Sequence, residues 1–289
     1  MKPAILIAGA TGATGRAAAS LLLEKRFPVR AFVHREDERS RQLADQGVEI
    51  VVGDLLALRA VRRAFDGVKR AYFVYPMRPG LMQATAYYAQ AATEAETEFI
   101  VNMSQRSAGS NATSDSTLQH WLAERVFDRT GIPLTHLRPT VFANWLLYMR
   151  KMIRDGRYSV PWHATGRFAS IAAEDQGVVI ATILTDPSSH AGQTYPLFGP
   201  LEQTPPEIAE TVGRVLGKSI RYQQITSEQW VWEVAGQKIP FLSQHLSGIA
   251  RDHERNGLMA GTNDLVERIT ERRPTSLEEF VEKHRAAFQ

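Results

Sequence analysis

The sequence predicts an α/β fold, a doubly wound parallel sheet followed by a smaller C-terminal α/β part. Short β-rich runs alternate with helical patterns through the first half, and that rhythm weakens after about Phe142. Alternating strands and helices indicate βαβ units. The β-rich runs are apolar nearly throughout, which is typical of parallel strands covered on both faces.

Each element of the first half is assigned from its own pattern. Apolar, β-branched runs predict strands, and the expected strands in chain order are AILIAG, VRAFVH, VEIVVG, RAYFVYP, EFIVNMS and LTHLRP. Segments with helical periodicity lie between them, and these are RAAASLLLEKR, DERSRQLADQ, LRAVRRAFDG, LMQATAYYAQAATEA and STLQHWLAERVFDRTG.

The second half is less regular. An Asp-initiated helix is expected in EDQGVVIATILTD, and QTYPLFG is expected to return one more strand to the sheet. A small α/β cap is predicted from TPPEIAETVGRVLG, IRYQQI and SEQWVWEVA. A terminal helix follows from RRPTSLEEFVEKHRAAF, because TSLEE offers hydroxyl caps with glutamates in the first turn. We expect two closely packed regions, residues 1–150 and 151–289.

Composition and charge exclude several classes of function. The chain of 289 residues has no cysteine, so disulfides, thiolate catalysis and cysteine-bound metals are excluded. Its net charge is only +3, and basic residues are mixed with acidic ones, so no nucleic-acid partner is expected. There is no apolar run of membrane-spanning length and no leader pattern, so we expect a cytoplasmic protein without membrane contact.

Three glycines mark a candidate nucleotide site. Gly9, Gly12 and Gly15 follow the first strand and open the first helix. In this context the first glycine permits a tight turn, the second lets backbone approach a diphosphate, and the third allows close helix packing. The helix N-terminus favours an anion there, and the hydroxyls of Thr11 and Thr14 are candidate donors. The alternative is a turn that merely needs glycine.

The end of the second strand indicates which dinucleotide binds. A carboxylate at this place binds the ribose hydroxyls of NAD, but here the strand ends in His34 and Arg35. A guanidinium suits a 2′-phosphate, so NADP(H) is favoured. Alternatively, Arg35 is an exposed loop residue and Glu36 or Asp37 binds the ribose. Asp54 and Leu55, after the third strand, are expected near the adenine. The equally weighted alternative is that Gly53 and Asp54 only form a turn.

Longer motifs carry a family resemblance over nearly the whole chain. GATGATG, the basic end of strand two, GDL, HWLAERVF and GIPLTHLRPTVFANW together resemble the NmrA-like family of atypical short-chain dehydrogenase/reductases. GRYSVPWHATGRFASIAAEDQG and RRPTSLEEFVEKH look like later segments of that family. The resemblance implies an NADP-binding Rossmann domain (1–150) and a smaller substrate-binding region (151–289). It also implies either a quinone or dye reductase or a catalytically silent redox sensor.

The usual catalytic pair of short-chain dehydrogenases is missing. No tyrosine is followed four residues later by lysine, so ordinary ketone reduction by that pair is not expected. His120 and Glu124 lie four apart on one predicted helix. His120 resembles the family's position for the lysine, and Glu124 is a candidate to orient it. The alternative is a histidine on a helix flank with a surface glutamate.

Ligands of open α/β sheets bind at the carboxyl ends of the strands. The nicotinamide is therefore expected among residues that follow strands four, five and six, namely Tyr75, Pro76, Ser104, Pro139, Thr140, Val141 and Phe142. Ser104 equally suits a turn cap. Aromatic residues after the sheet are either walls of a flat acceptor pocket or core, and these are Trp145, Tyr148, Trp162 and Phe168. His163 is a weaker candidate, and no spacing of histidines indicates a metal site.

These observations predict an NADPH-dependent reductase that transfers hydride to a small conjugated acceptor such as a quinone or dye. Such acceptors scarcely need a dedicated acid, because the product is delocalised or neutral. The alternative is a non-enzymatic NADP(H) sensor of the NmrA type. The expected partner is a small aromatic molecule, and the expected assembly is a monomer or homodimer.

Overall fold

A computed structural model describes residues 2–289. The strands in this range are β1 Ala4–Ala8, β2 Val29–Val33, β3 Glu49–Val52, β4 Val68–Phe73, β5 Phe99–Met103, β6 Leu134–Pro139, β7 Arg157–Val160, β8 Gln193–Leu197 and β9 Arg221–Gln224. The helices are α1 Ala13–Glu24, α2 Glu38–Asp45, α3 Leu58–Phe65, α4 Leu81–Glu94, α5 Asp115–Asp128, α6 Trp145–Tyr148, α7 Arg150–Arg154, α8 Ala173–Thr185, α9 Pro205–Leu216, α10 Ser227–Ala235, α11 Pro240–Asn256, α12 Leu265–Thr270 and α13 Leu277–Lys283.

Seven strands form the main sheet, in the order β3-β2-β1-β4-β5-β6-β8. The pairs from β3 to β6 are parallel, and the order reverses between β1 and β4. The strand expected in QTYPLFG is β8, at the edge of the sheet next to β6. The predicted doubly wound fold is therefore confirmed. Its topological switch point lies at the end of β1, where open α/β sheets bind ligands.

The chain divides into two compact units. One holds the described residues up to Ser104 together with Gln119–Arg138 and Ala173–Tyr195. Its core has a cluster of aromatic rings in edge-to-face contact, with Phe73 and Phe127 centroids 5.2 Å apart. In this unit α8 packs on α1 through Gly177, where a Cβ would come within 2.4 Å of the Ala17 Cβ.

The other unit holds Gln105–Leu118, Pro139–Ala172 and Pro196–Gln289. Its core includes Trp162, Phe168 and Trp230, and β7 pairs with β9 in a small parallel sheet. The elements of this unit that were not predicted are the strand β7, the long helix α11 and the short helices α6, α7 and α12. The terminal helix α13 begins as expected, because Ser276 and Glu279 form a capping box.

A buried serine–histidine pair caps α5 in this second unit. The Ser114 Oγ accepts the Thr117 amide at 3.3 Å and lies 2.8 Å from Nδ1 of His245. Ser114 and His245 are buried. Burial lowers the pKa of His245 to about 4, because a charged imidazole would lose its hydration.

This pair predicts a loss of stability in acid. Between its ordinary pKa near 6.5 and the folded value of about 4, His245 binds a proton only in the unfolded chain. The free energy of unfolding is therefore expected to fall by about 3 kcal/mol from this residue as the pH falls through that window. In His245→Asn the amide keeps an acceptor for Ser114 but does not titrate.

Urea unfolding of the wild type and of His245→Asn between pH 7 and pH 4 measures this difference. The variant is expected to show a slope shallower by about one proton. His34→Asn is the matched control, because His34 is exposed. Equal slopes in wild type and His245→Asn would contradict the assignment.

Candidate functional site

The glycine-rich segment forms a tight turn between β1 and α1. Gly9 has φ +62°, which favours glycine, and its carbonyl accepts the Gly12 amide at 2.9 Å. Gly12 is the N-cap of α1 and carries no side-chain cap, and the first turn has no acidic residue. The first amides of α1 therefore lack both intrahelical acceptors and a capping side chain. This end of α1 is an electropositive cradle for an anion.

Side chains are sterically excluded from this cradle. A Cβ on Gly15 would lie 2.5 Å from the Gly9 oxygen and 2.9 Å from the Gly9 carbonyl carbon. A Cβ on Gly12 would come within 3.2 Å of the same oxygen. Helix and turn are therefore in backbone contact, as the spacing of the glycines predicts.

The two threonines of the turn differ in their surroundings. The Thr14 hydroxyl is buried and lies 3.1 Å from the hydroxyl of Tyr72 on β4. Besides this hydroxyl, Thr14 offers its backbone amide at the N-terminus of α1. Thr11 is half-buried and its carbonyl faces the side chain of Arg39.

Two arginines follow β2, Arg35 in the loop and Arg39 on the first turn of α2. Arg35 is exposed, and the Nη1 of Arg39 lies 3.5 Å from the Thr11 oxygen. The Oδ1 of Asp37 caps α2 by accepting the amides of Arg39 and Ser40. Its Oδ2 accepts from the Arg39 guanidinium, from Nη2 at 2.6 Å and from Nε at 3.2 Å. The hydrogen bond from Arg39 lowers the pKa of Asp37. The carboxylate of Asp37 is thus already paired.

Sequence reasoning missed Arg39. The signal was available, since Asp37 followed by Ser40 forms a capping box. That box places Glu38 and Arg39, the two residues between them, on the first turn of α2.

The residues after β3 and β4 form a second set of contacts in the same unit. Asp54 accepts the Leu56 amide at 2.9 Å, and its other oxygen lies 3.6 Å from Nδ1 of His34. The turn-forming alternative for Asp54 therefore holds in this geometry. Leu55 is half-buried beside it. The Tyr75 hydroxyl donates to the Pro79 carbonyl at 2.9 Å, while Pro76 is exposed.

Ser104 follows β5 at the carboxyl edge of the sheet. Its amide donates to the Leu137 carbonyl, and its hydroxyl is buried without a hydrogen-bond partner in the structure. A buried hydroxyl without a partner costs free energy and in native proteins is typically satisfied by a ligand or water. Pro139 ends β6 and is buried. Phe142 is half-buried and forms an isolated β-bridge with Ile171, and both residues belong to the second unit.

His120 and Glu124 lie on α5 and are both buried. The alternative with a surface glutamate is therefore wrong. Both carboxylate oxygens of Glu124 bind Arg138 at the end of β6, at 2.8 and 2.5 Å. Arg138 was missed as an individual residue, although it is the arginine of the LRP motif.

The aromatic residues after the sheet divide between core and surface. Trp162 and Phe168 are buried in the core of the second unit, with ring centroids 5.5 Å apart. Trp145 stacks on Trp230, whereas Tyr148 is 61% exposed. The core interpretation therefore holds for Trp162 and Phe168, and His163 is exposed next to Thr165.

Two features are absent from residues 2–289. No group of three or more metal-ligating side chains is assembled there. None of the helices in that range combines the length and the apolar character that a membrane crossing requires.

A doubly wound sheet, with a glycine-rich turn at its switch point and a bare helix N-terminus, defines a Rossmann-type protein. Comparison with known proteins gives the family. The NmrA-like family model matches residues 1–281, and the chain belongs to that family.

Individual relatives cover most of the chain. An NAD(P)H azoreductase of Xenophilus azovorans is 30% identical over 289 residues, spanning 98% of this chain and 99% of that protein. Quinone oxidoreductase 2 of Escherichia coli is 25% identical over 227 residues, 77% of this chain and 78% of the relative. The triphenylmethane reductase of Citrobacter sp., crystallised with NADP(H), is 25% identical with a TM-score of 0.82, covering 96% of this chain and 99% of the other.

Proposed function

We propose that this protein is an NADPH-dependent reductase of small conjugated acceptors such as quinones or dyes. The observation that carries the proposal is the glycine-rich turn, where Gly9, Gly12 and Gly15 leave backbone amides of α1 open to a diphosphate. The relatives are named as reductases of azo compounds, quinones and triphenylmethanes. These acceptors share an extended conjugated system, which is the class of substrate we propose.

The residues present suit a bound NADP(H) in two respects. The cradle at Gly12 and Gly15 is free of Cβ atoms, as close approach of a diphosphate requires. The Ser104 hydroxyl is a buried polar atom without a partner, at the strand ends where a nicotinamide is expected.

Roles follow for the individual residues. The amides of Ala13, Thr14 and Gly15 would hold the diphosphate, and Arg35 and Arg39 the 2′-phosphate. His34, Asp54 and Leu55 would line the adenosine. Ser104 would donate to the nicotinamide ribose or carboxamide, with Tyr75, Pro76, Pro139 and Phe142 at neighbouring strand ends. The backbone of Gly9, Thr11, Gly12 and Thr14 would form the rest of the same cradle.

The chemistry needs little acid catalysis from the protein. Reduced nicotinamide supplies a hydride, which carries both electrons to the acceptor. A cationic dye that accepted the hydride would become neutral, and a quinone would become a delocalised anion that takes its proton from solvent after it leaves the site. The protein's task is then to position the acceptor and to exclude water, which supplies most of the rate. His120 would contact the cofactor ribose or the acceptor.

The test is turnover of purified protein with NADPH and a panel of a quinone, a cationic triphenylmethane dye, an azo dye and a simple ketone. We expect loss of nicotinamide absorbance with one or more conjugated acceptors and none with the ketone. Turnover of the ketone alone, or of no acceptor, would contradict the proposal.

A second candidate is an NADP(H) sensor without turnover. Both oxygens of the Glu124 carboxylate bind Arg138. The carboxyl group closest in sequence to His120 is therefore not free to act as an acid or base, and this favours a sensor. A sensor must bind the two redox forms with different affinities. Calorimetric titration with NADP⁺ and NADPH separates the candidates, because equal affinities together with turnover would exclude the sensor.

A further inference from the structure

One face of α5 carries ionisable side chains against the sheet. His120, Glu124 and Asp128 follow one another at intervals of four residues, so they share a stripe along the helix. The last two contact β6, whose Arg138 and His136 lie two residues apart and so point to the same side of the sheet. We call this set of contacts, Glu124–Arg138 and Asp128–His136, the polar seam of α5.

The first contact of the polar seam is an ion pair between a buried carboxylate and a part-buried guanidinium. Glu124 has no exposed surface, and the Arg138 guanidinium binds it through two parallel hydrogen bonds, Nε to Oε1 at 2.8 Å and Nη2 to Oε2 at 2.5 Å. Such a fork fixes both distance and orientation. It therefore restrains α5 along and around its axis at the level of Glu124.

The second contact lies one helical turn further on. His136 is buried on β6, and its Nε2 lies 3.1 Å from the Asp128 Oδ1. Its Nδ1 lies 3.0 Å from the side-chain amide nitrogen of Asn102 on β5. Because an amide nitrogen only donates, Nδ1 accepts and the ring proton sits on Nε2, where it donates to Asp128. Burial lowers the pKa of His136, which keeps this neutral arrangement.

Arg125 lies close to both carboxylates of the polar seam. Its Nη2 lies 2.8 Å from the Asp128 Oδ2 and 3.6 Å from the Glu124 Oε2. The carboxylates of two successive turns thus share one cation. The polar seam forms a single network across α5, β6 and β5 rather than two isolated bonds.

A helix usually packs on a parallel sheet through apolar side chains, which tolerate small sliding and rotation. A buried ion pair adds little or no stability over apolar residues of similar volume, and its best-attested use is to specify register. Two such contacts one turn apart leave α5 a single register on β6. His120 is the next member of the same stripe and takes its position from that register.

We propose that Glu124 and Arg138 are positioning residues that fix the register of α5 and thereby the imidazole of His120. The inference rests on the proposed function, because there His120 contacts the cofactor or acceptor. Glu124 is on this basis a positioning residue rather than a catalytic one.

The test replaces the ion pair by apolar side chains in Glu124→Leu/Arg138→Met, which leaves no unpaired buried charge. The matched control is Glu94→Leu/Arg62→Met, since Arg62 and Glu94 form the same two-bond pair at 2.6 Å but are part-exposed between α4 and α3. Thermal unfolding, NADPH affinity, steady-state kinetics and NMR titration of the His120 imidazole are measured for both.

We expect the Glu124→Leu/Arg138→Met protein to unfold near the wild-type temperature and to bind NADPH within about twofold of wild type. Its kcat is expected to fall by about 10-fold to 100-fold with a smaller change in KM, because misplacement of about 1 Å costs on that order. The His120 resonance should shift or broaden and its pKa should move. The control variant is expected to match wild type in all four measurements.

An unchanged His120 resonance and pKa in a folded Glu124→Leu/Arg138→Met protein would overturn the inference. If that double variant does not fold, Arg138→Lys, which keeps the charge but loses the fork, is judged by the same His120 signals. If the wild type reduces no acceptor, the proposed function fails, yet the His120 titration still decides the register.

Discussion

Gly15→Ala is expected to abolish tight NADPH binding while leaving the sheet assembled. The new Cβ would lie 2.5 Å from the Gly9 oxygen and 3.0 Å from the Ala10 Cα, both backbone atoms that cannot rotate away. The turn must therefore separate from α1, and the amides aimed at the diphosphate lose their alignment. Hydrogen bonds to charged groups contribute about 1.5–3 kcal/mol each, so loss of two of them corresponds to about 100-fold or more in affinity.

Fluorescence or calorimetric titration with NADPH measures the effect, and urea unfolding reports any accompanying loss of stability, expected at about 1–3 kcal/mol. Gly109→Ala is the matched control, because its Cβ would meet no atom closer than 3.8 Å. Wild-type affinity in a folded Gly15→Ala protein would show that the diphosphate does not bind at this turn.

The part of the fold around Gly15 follows directly from the sequence. Each parallel strand is an apolar run, and each covering helix is periodic, so local pattern and tertiary environment agree from β1 to β6. Gly9 and Gly15 are required by backbone geometry alone, which does not depend on distant residues. That independence is why the glycine-rich turn could be predicted.

Helix α11 of the second unit could not be predicted in the same way. Helix α11 has polar residues on much of its surface, and its buried face mixes the apolar Leu246 and Ile249 with the polar residues Ser243, His245, Asp252 and His253. Asp252, for example, is buried because it accepts the Thr113 amide at 2.8 Å, a contact between residues 139 apart in the chain. Such polar burial is decided by partners that periodicity does not reveal.

The site residues also differ in how much of their surroundings the sequence predicts. Ser104 was predicted from its place after a strand, and its buried hydroxyl is consistent with that prediction. The spacing of His120 and Glu124 predicted a shared helix face, but it could not show that Arg138 takes up the carboxylate of Glu124. A residue's position along an element is readable from sequence, whereas the partner of a buried charge depends on which element packs opposite.

The loop after β2 carries the sharpest prediction about the cofactor. Its sequence offers two carboxylates, Glu36 and Asp37, that would repel a 2′-phosphate, so a sequence-based choice between NAD and NADP is ambiguous there. In the structure the carboxylate of Asp37 is paired with Arg39 and caps α2, while Glu36 is exposed. This arrangement favours Arg35 and Arg39 over the carboxylates as ligands of the nucleotide.

Arg35→Asp is therefore expected to weaken NADPH binding by about 100-fold or more while changing NADH binding by no more than a few-fold. The substitution removes a charge-assisted hydrogen bond to the 2′-phosphate and places a negative charge against it, and NADH lacks that group. Dissociation constants for both coenzymes, measured at low and high salt, give the ratio directly. Screening should reduce the effect at high salt, because Arg35 is exposed.

The matched control is Arg41→Asp, which makes the same change of charge on exposed α2, where Arg41 lies 3.6 Å from Glu38. If Arg35→Asp and Arg41→Asp shift NADPH and NADH alike, the effect is general electrostatics and Arg35 does not contact the phosphate. If only Arg39→Met changes the preference, the 2′-phosphate lies against the glycine-rich turn rather than at the end of β2. Loss of preference in Arg35→Asp alone places the phosphate at the strand end, where the guanidinium replaces the carboxylate of an NAD site.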